Sequence, residues 1–340
     1  MLEAPDVQGA HIIECLETEY GLSTTEIAFL PLGADVNTAV YRVVAEDGVQ
    51  YFLKLRRGDF HSGVVTIPYW LAKEGMEPLI APIATRATGA LWTHLDTFTV
   101  ILYPFVTGKS GWEMELSHQQ WKEVGEGLNA LHSSVLPPEL ARPMPREEYA
   151  AVWRDRVTAF LEQAANQAVN DPVAAKLVEF LEEKRTTIRH IIMRARRLAN
   201  ILVQQPPDNC LCHGDPHAGN ILVDTTNRLY IVDWDTLILA PKERDLMFIG
   251  GGVGGVWNRG HEVEWFYQGY GQSDINLTAL TYYRYERIVQ DIGEMCAGLL
   301  TTSGGIEDRV VMLEQFTSQF ELANVVDMAC ATDRRLQAEK

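Results

Sequence analysis

The fold of this chain turns on one stretch: His213-Gly-Asp215-Pro-His217-Ala-Gly-Asn220-Ile-Leu-Val-Asp224, then Thr-Thr-Asn-Arg, then Leu229-Tyr-Ile-Val-Asp233-Trp-Asp235. Ile221 to Val223 and Leu229 to Val232 are β-prone, and the polar four between them read as a turn. Antiparallel pairing about that turn sets Ile221 opposite Val232 and Asn220 opposite Asp233. An amide oxygen and a carboxylate then stand side by side at the open end of a hairpin. Oxygen donors of this type suit Mg²⁺, which keeps several waters and also takes phosphate oxygens. Asp215 lies just upstream, on the loop that enters the hairpin. That is a place for a base that accepts a hydroxyl proton without being a ligand. His213 and His217 are at i,i+4 spacing, but Pro216 between them disfavours the helix a shared metal would need. They read as supports of the loop.

Working outward, the first hundred residues read as a short helix followed by strands. Asp6 is a candidate cap for a helix carrying Ile12, Ile13, Leu16 and Tyr20, with Gly21 as its stop. Ala39 to Val44 and Tyr51 to Leu55 read as strands about the turn Glu46-Asp47-Gly48. Phe98 to Phe105 is a third strand. A mostly antiparallel sheet ending near residue 106 follows. Beyond it the pattern turns helical. Ser117 with Gln120 makes a capping box ahead of Trp121, Val124, Leu128 and Leu131. Asp171-Pro172 opens a long apolar period through Leu177, Leu181, Ile188, Ile192 and Leu198, one helix or two with a bend. Residues 276–300 and 308–331 read as further helices. The expected architecture is α+β in two domains, 1–106 and 107–340, with the chemistry in the second.

Composition narrows the function classes. A chain of 340 residues with 46% hydrophobic and 22% charged residues has an ordinary globular make-up. A formal net charge of -17 repels phosphate backbones and argues against a nucleic-acid partner. No apolar run is long enough for a membrane span, and the N-terminus lacks the pattern of a secretory signal. Cys15, Cys210, Cys212, Cys296 and Cys330 are scattered and odd in number, as expected of reduced thiols in a cytoplasmic protein.

His213-x-Asp215-x-x-x-x-Asn220 has the spacing of the protein-kinase catalytic loop, and Asp233-Trp234-Asp235 stands where that family has Asp-Phe-Gly. The form His-Gly-Asp-x-His-x-Gly-Asn, with Asp-Trp-Asp following, resembles the aminoglycoside phosphotransferase and choline kinase superfamily. Supporting runs are Gly33 to Asn37, Tyr103 to Phe105, Ala240 to Gly252 and Tyr282 to Val289. The resemblance implies a protein-kinase-like two-lobed fold, with a small antiparallel-sheet N-lobe and a mainly helical C-lobe. It implies transfer of the γ-phosphoryl of ATP or GTP, with Mg²⁺, to a hydroxyl of a small cationic acceptor such as an aminocyclitol. Another aminoglycoside, a sugar, choline or an amino alcohol stays open as acceptor. So does a kinase-fold binding protein without catalysis.

By the same resemblance, Asp215 is the base, and Asn220 and Asp233 hold the metal. Lys54 reaches the α- and β-phosphates. The loop of Gly33, Asp35 and Asn37 covers the phosphates, and Tyr103, Phe105 and Val106 form the hinge that takes the base of the nucleotide. Asp245 braces the catalytic loop. Kinases orient the lysine with a helix glutamate, yet the segment from Asp59 to Pro68 offers none and Pro68 shortens any helix there. Asp59, Glu74 or no partner at all remain. Asp235, Trp257, Tyr283, Glu286 and Asp291 are the candidate acceptor residues.

Overall fold

The computed structural model describes residues 4–32, 37–58, 60–164, 171–300 and 305–339. The chain runs through α1 (Gly9–Cys15), β1 (Thr24–Leu30), β2 (Thr38–Ala45), β3 (Gln50–Arg57), α2 (Gly63–Lys73), β4 (Thr93–Leu95), β5 (Phe98–Pro104) and β6 (Gly108–Ser110). Next come α3 (His118–Ser133), α4 (Pro138–Ala141), α5 (Val152–Ala164), α6 (Pro172–Gln204), β7 (Cys210–Cys212), β8 (Ile221–Asp224), β9 (Leu229–Ile231) and β10 (Ile238–Ala240). The last elements are α7 (Glu243–Leu246), α8 (Gly260–Tyr270), α9 (Leu277–Leu300), α10 (Ile306–Ser318) and α11 (Val325–Ala338). No described helix is long and apolar enough to cross a membrane.

Two compact units share the chain. The first takes Met1–Glu115 together with Val135–Met144 and Gly219–Leu237. Its main sheet is antiparallel in the order β1-β2-β3-β5-β4. Alternation along β3 decides the position of Lys54. Leu53 and Leu55 turn to one face and are buried with Val43, Val100 and Leu102 from neighbouring strands and Ile12 and Leu16 from the N-terminal segment. Lys54 therefore points to the other face, beside its register partner Ile101, which packs with Val64 and Val65 of α2. The helix at α2 contradicts one expectation, because it runs straight through Pro68. The proline ring only removes one hydrogen bond, to the carbonyl of Val64, and Ile67 and Leu71 bury the same face on either side. Asp6 does not cap α1; the N-cap is Gln8, without a side-chain bond, and the helix ends in a π-turn whose stop is Gly21 at φ 69°.

A second sheet of this unit, β6-β8-β9, holds the deciding hairpin. Its register corrects the expected one: Ile221 faces Ile231 and Val223 faces Leu229. The reason lies in the turn. Asn227 takes a left-handed backbone, φ 66°. Asp224 bonds across to Arg228, with its N–H on the Arg228 carbonyl and its Oδ1 accepting from the N–H groups of Thr226 and Arg228. Three residues, not four, close the loop, which shifts every pair by one.

The second unit takes Leu116–Ser134, Pro145–Ala218 and Ile238–Lys340. It is helical apart from the two-stranded pair β7–β10. The capping box at Ser117 and Gln120 forms as expected, and Asp171 caps α6, a single helix of 33 residues. Helix α9 lies against α5, α6 and α11, with Leu280, Ile288, Ile292 and Leu299 buried. α3 and α8 approach closely at two glycines. A Cβ on Gly125 would collide with the Phe266 carbonyl, and one on Gly269 with the Lys122 carbonyl. The single helix expected over 308–331 is two, α10 and α11, because Ala323 turns left-handed (φ 60°) and the Asn324 side chain caps a new start.

Candidate active site

Within the sheet unit, the lysine of β3 and the end of the hairpin meet. Lys54 Nζ lies 3.1 Å from Asp233 Oδ1 and 2.7 Å from Asp235 Oδ2. Burial works against its charge, but the two carboxylates outweigh it and hold the ammonium above the ordinary lysine range. Arg56 reaches Asp235 at 3.0 Å. Among the described residues, Asp233 and Asp235 are carboxylates in contact with the lysine. Helix α2 contains no glutamate and Glu74 follows it as its C-cap, while Asp59 lies outside the described residues.

Local backbone explains how Asp233 arrives there. The Val232 N–H donates to the Asn220 carbonyl at 2.9 Å, so Val232, and not Asp233, stands across from Asn220. Asp233 follows with φ 63° and starts a 3₁₀ turn at Trp234–Thr236. Asp tolerates this left-handed conformation better than most residues. Trp234 anchors the turn, buried and donating Nε1–H to the Ile231 carbonyl at 3.1 Å. Asn220 is buried at the end of a 3₁₀ turn just before β8. An amide oxygen and a carboxylate are the hard donors that Mg²⁺ takes, so the residues present fit the ion.

Of the residues expected at the nucleotide, Tyr103 lies near the end of β5 opposite Phe52, and their rings meet edge to face at 6.5 Å. The Phe105 N–H is bonded to the Gln50 carbonyl at 3.1 Å, and Val106 follows, partly exposed. The Asn37 carbonyl accepts from the Arg57 N–H at 2.8 Å. Gly33 and Asp35 lie outside the described residues.

Within the helical unit, the loop carrying Asp215 is pinned from below. Asp245 is wholly buried. Its Oδ2 accepts from the His213 N–H at 2.8 Å and its Oδ1 from the Gly214 N–H at 2.7 Å. His132 Nε2 sits 3.0 Å from the same carboxylate. Burial opposes the charge of Asp245, but His132, His213 and the Gly214 N–H outweigh it and keep the carboxyl below its ordinary value. Gly214 takes φ 88°, open to glycine at no steric cost. The Asp215 N–H then reaches His213 Nδ1 at 3.3 Å, and His217 Nε2 lies 3.6 Å from Asp215 Oδ2. Arg287 of α9 spans two acids, with Asp215 Oδ1 at 2.5 Å and Asp291 Oδ1 at 2.8 Å. The loop presents a carboxylate held between Arg287 and His217.

The acceptor candidates have partners of their own. Asp235 is held by Lys54 and Arg56, as above. Trp257 is buried edge-on to Trp121, ring centres 4.9 Å apart. Tyr283 is buried against Tyr149 and Tyr282. Glu286 pairs with the buried Arg154 at 3.1 Å, and burial pushes its carboxyl up to about 7 against the pull of that arginine. Asp291 is likewise raised by burial, to about 6, with Arg287 opposing. Sequence reading missed the arginines. The i,i+4 spacing of Arg287 and Asp291 was a signal for one contact, but nothing local announces Arg287 at Asp215 or Arg154 at Glu286.

Comparison with known proteins gives the following. The model of the phosphotransferase enzyme family matches residues 28–280. The chain is 35% identical to spectinomycin phosphotransferase APH(9)-Ia, solved in complex with ADP and spectinomycin, over 97% of this chain and 100% of that one, with a TM-score of 0.89. The AMP-bound complex of the same enzyme aligns at 35% identity over 96% and 99%, with a TM-score of 0.85. Amicoumacin kinase hAmiN, in complex with AMP-PNP, Ca²⁺ and Ami, shares the fold at 16% identity, covering 92% and 93%, with a TM-score of 0.63. No curated protein matches by sequence.

Proposed function

We propose, from the premise that the chain belongs to the phosphotransferase enzyme family and is a small-molecule kinase, that it phosphorylates a hydroxyl of spectinomycin. The observation that carries phosphotransfer is the contact of Lys54 with Asp233, 179 residues apart in the chain. It joins a phosphate-binding cation to a metal-binding carboxylate. The acceptor rests on similarity: a relative 35% identical over nearly the whole chain is solved with spectinomycin and ADP. The five acceptor candidates do not carry it, because each has partners inside the protein.

In this reading the acceptor oxygen attacks the γ-phosphorus of ATP or GTP, the bond to the β–γ bridging oxygen breaks, and the nucleoside diphosphate leaves. Asp215 takes the hydroxyl proton. Arg287 and the pinned His213–Gly214 backbone keep its carboxylate in place, so the base needs little reorganisation at the moment of transfer. Lys54 binds phosphate oxygens through its ammonium, with Asp233 and Asp235 orienting it. Mg²⁺, held by Asn220 and Asp233, offsets phosphate charge when bound. The product carries about two added negative charges on a cationic antibiotic, which is the basis for a role in resistance.

An acceptor panel in a coupled assay of ADP or GDP release tests this. Spectinomycin should give turnover and a phosphorylated product by mass spectrometry. Turnover on another aminoglycoside, a sugar, choline or an amino alcohol, with none on spectinomycin, would overturn the acceptor. Nucleotide binding without any phosphorylated product across the panel would overturn catalysis.

A further inference from the structure

We propose that Cys210, Cys212 and His132 form a second metal site in the helical unit, for a thiophilic divalent ion of the zinc class. This site is unlike the all-oxygen pair Asn220 and Asp233 in its chemistry, and it does not depend on the acceptor.

The strand β7 sets the sulfurs. Residues two apart on a strand face the same way, and Cys210 Sγ lies 3.7 Å from Cys212 Sγ. A tetrahedral ion with two sulfurs at about 2.3 Å holds them about 3.8 Å apart. The pair thus has the spacing of two thiolates on one ion, far from the roughly 2.05 Å of a disulfide. All five cysteines are thiols.

The third donor comes from α3. A ring nitrogen of His132 and the two sulfurs all lie within 4.8 Å of one another. Asp245 Oδ2 sits 3.0 Å from Nε2 of His132, a carboxylate partner of the kind that orients a metal-bound histidine when its other nitrogen takes the ion. Nδ1 faces the Tyr270 hydroxyl at 2.8 Å, and the ion takes the place of that hydroxyl. Two sulfurs and one imidazole select zinc-like ions over Mg²⁺ or Ca²⁺, which need oxygen.

Access and the fourth position come from the surface. A cavity of about 520 Å³ in the same unit is lined by His132, Cys210 and Tyr270, along with polar Asn129, Lys242 and Ser273. It gives an ion a route in and a water for the open position. The carboxylate that orients His132 is also the one that pins His213 and Gly214, so the ion would lie behind the catalytic loop.

The test uses full-length, reduced, chelator-treated protein titrated with Co²⁺ without nucleotide. The expected result is saturation at one ion per chain, with a sulfur-to-cobalt charge-transfer band and tetrahedral d–d bands, both abolished by added Zn²⁺. Cys210→Ser, which leaves Cys212 as a sulfur donor, should cut the charge-transfer band by about half or more and weaken binding at least about tenfold. Absence of the sulfur band in the folded protein, or an unchanged band in Cys210→Ser, overturns the site. If Cys210→Ser does not fold, alkylation of the unmutated protein decides: Zn²⁺ should slow iodoacetamide modification of Cys210, and an unchanged rate overturns the proposal.

Discussion

Asp215 is a loop carboxylate with Arg287 at 2.5 Å, His217 at 3.6 Å and its own N–H tied back to His213. Asp215→Asn keeps the shape and removes the proton acceptor. Turnover should fall by at least about a hundredfold with nucleotide binding kept; steady-state kinetics beside nucleotide titration checks both. Glu286 offers a separate reading through pH. Burial holds its carboxyl at about 7 in the fold against an ordinary value of 4.5. Between those values the folded chain keeps a proton that the unfolded chain has lost, so stability falls as pH rises through that window. Glu286→Gln removes this slope. Relative to the parent, the variant should gain up to about 3 kcal/mol on going from pH 4.5 to pH 7, read from denaturant midpoints. Spacing singled out Asp215, Asn220 and Asp233 as candidates, though with Asp233 one place off in the hairpin register. It could not single out Arg287 and Arg154, because an arginine's partner across the fold leaves no periodic trace.

At the scale of elements, the hairpin shows what a pattern can and cannot convey. Apolar runs marked both strands, and the polar residues between them marked the turn. Register depended on one residue, Asn227, adopting φ 66°, and a polar tetrapeptide does not say which member will do so. Asn227→Ala leaves the Cβ in that left-handed backbone and removes the short polar side chain that eases it. It should cost about 1–2 kcal/mol, while Asn227→Gly should be nearly neutral; thermal unfolding of the pair separates the two. Helix α2 is the opposite case. Pro68 argued for a break, but burial of Val64, Val65, Ile67 and Leu71 along one face overrides a single lost hydrogen bond. In α2 the apolar spacing was a better guide than the proline; where one backbone angle decides, as in the hairpin register, spacing gives no guide. The split of 308–331 at Ala323 belongs to the second kind.

On the scale of the whole molecule, the net charge of -17 is a field rather than a contact. A cationic acceptor should be drawn in by it. Its kcat/KM should drop as salt rises from low to physiological ionic strength, where the Debye length shortens to about 8 Å; a neutral acceptor, if one is turned over, should show no such fall. The two glycines between α3 and α8 have a longer reach. Gly125 and Gly269 set the distance between the helix axes. One of these helices carries His132 in its last turn and the other ends in Tyr270, and the two side chains meet at 2.8 Å before His132 passes on to Asp245. The helix pair thus works as a gauge block: its thickness fixes where the imidazole stands, and through Asp245 how firmly the backbone ahead of Asp215 is clamped. Gly269→Ala would thicken that block by a methyl group against the Lys122 carbonyl. Its signature would be a lowered kcat at nearly constant nucleotide affinity, a catalytic defect written by a residue that touches neither substrate nor base.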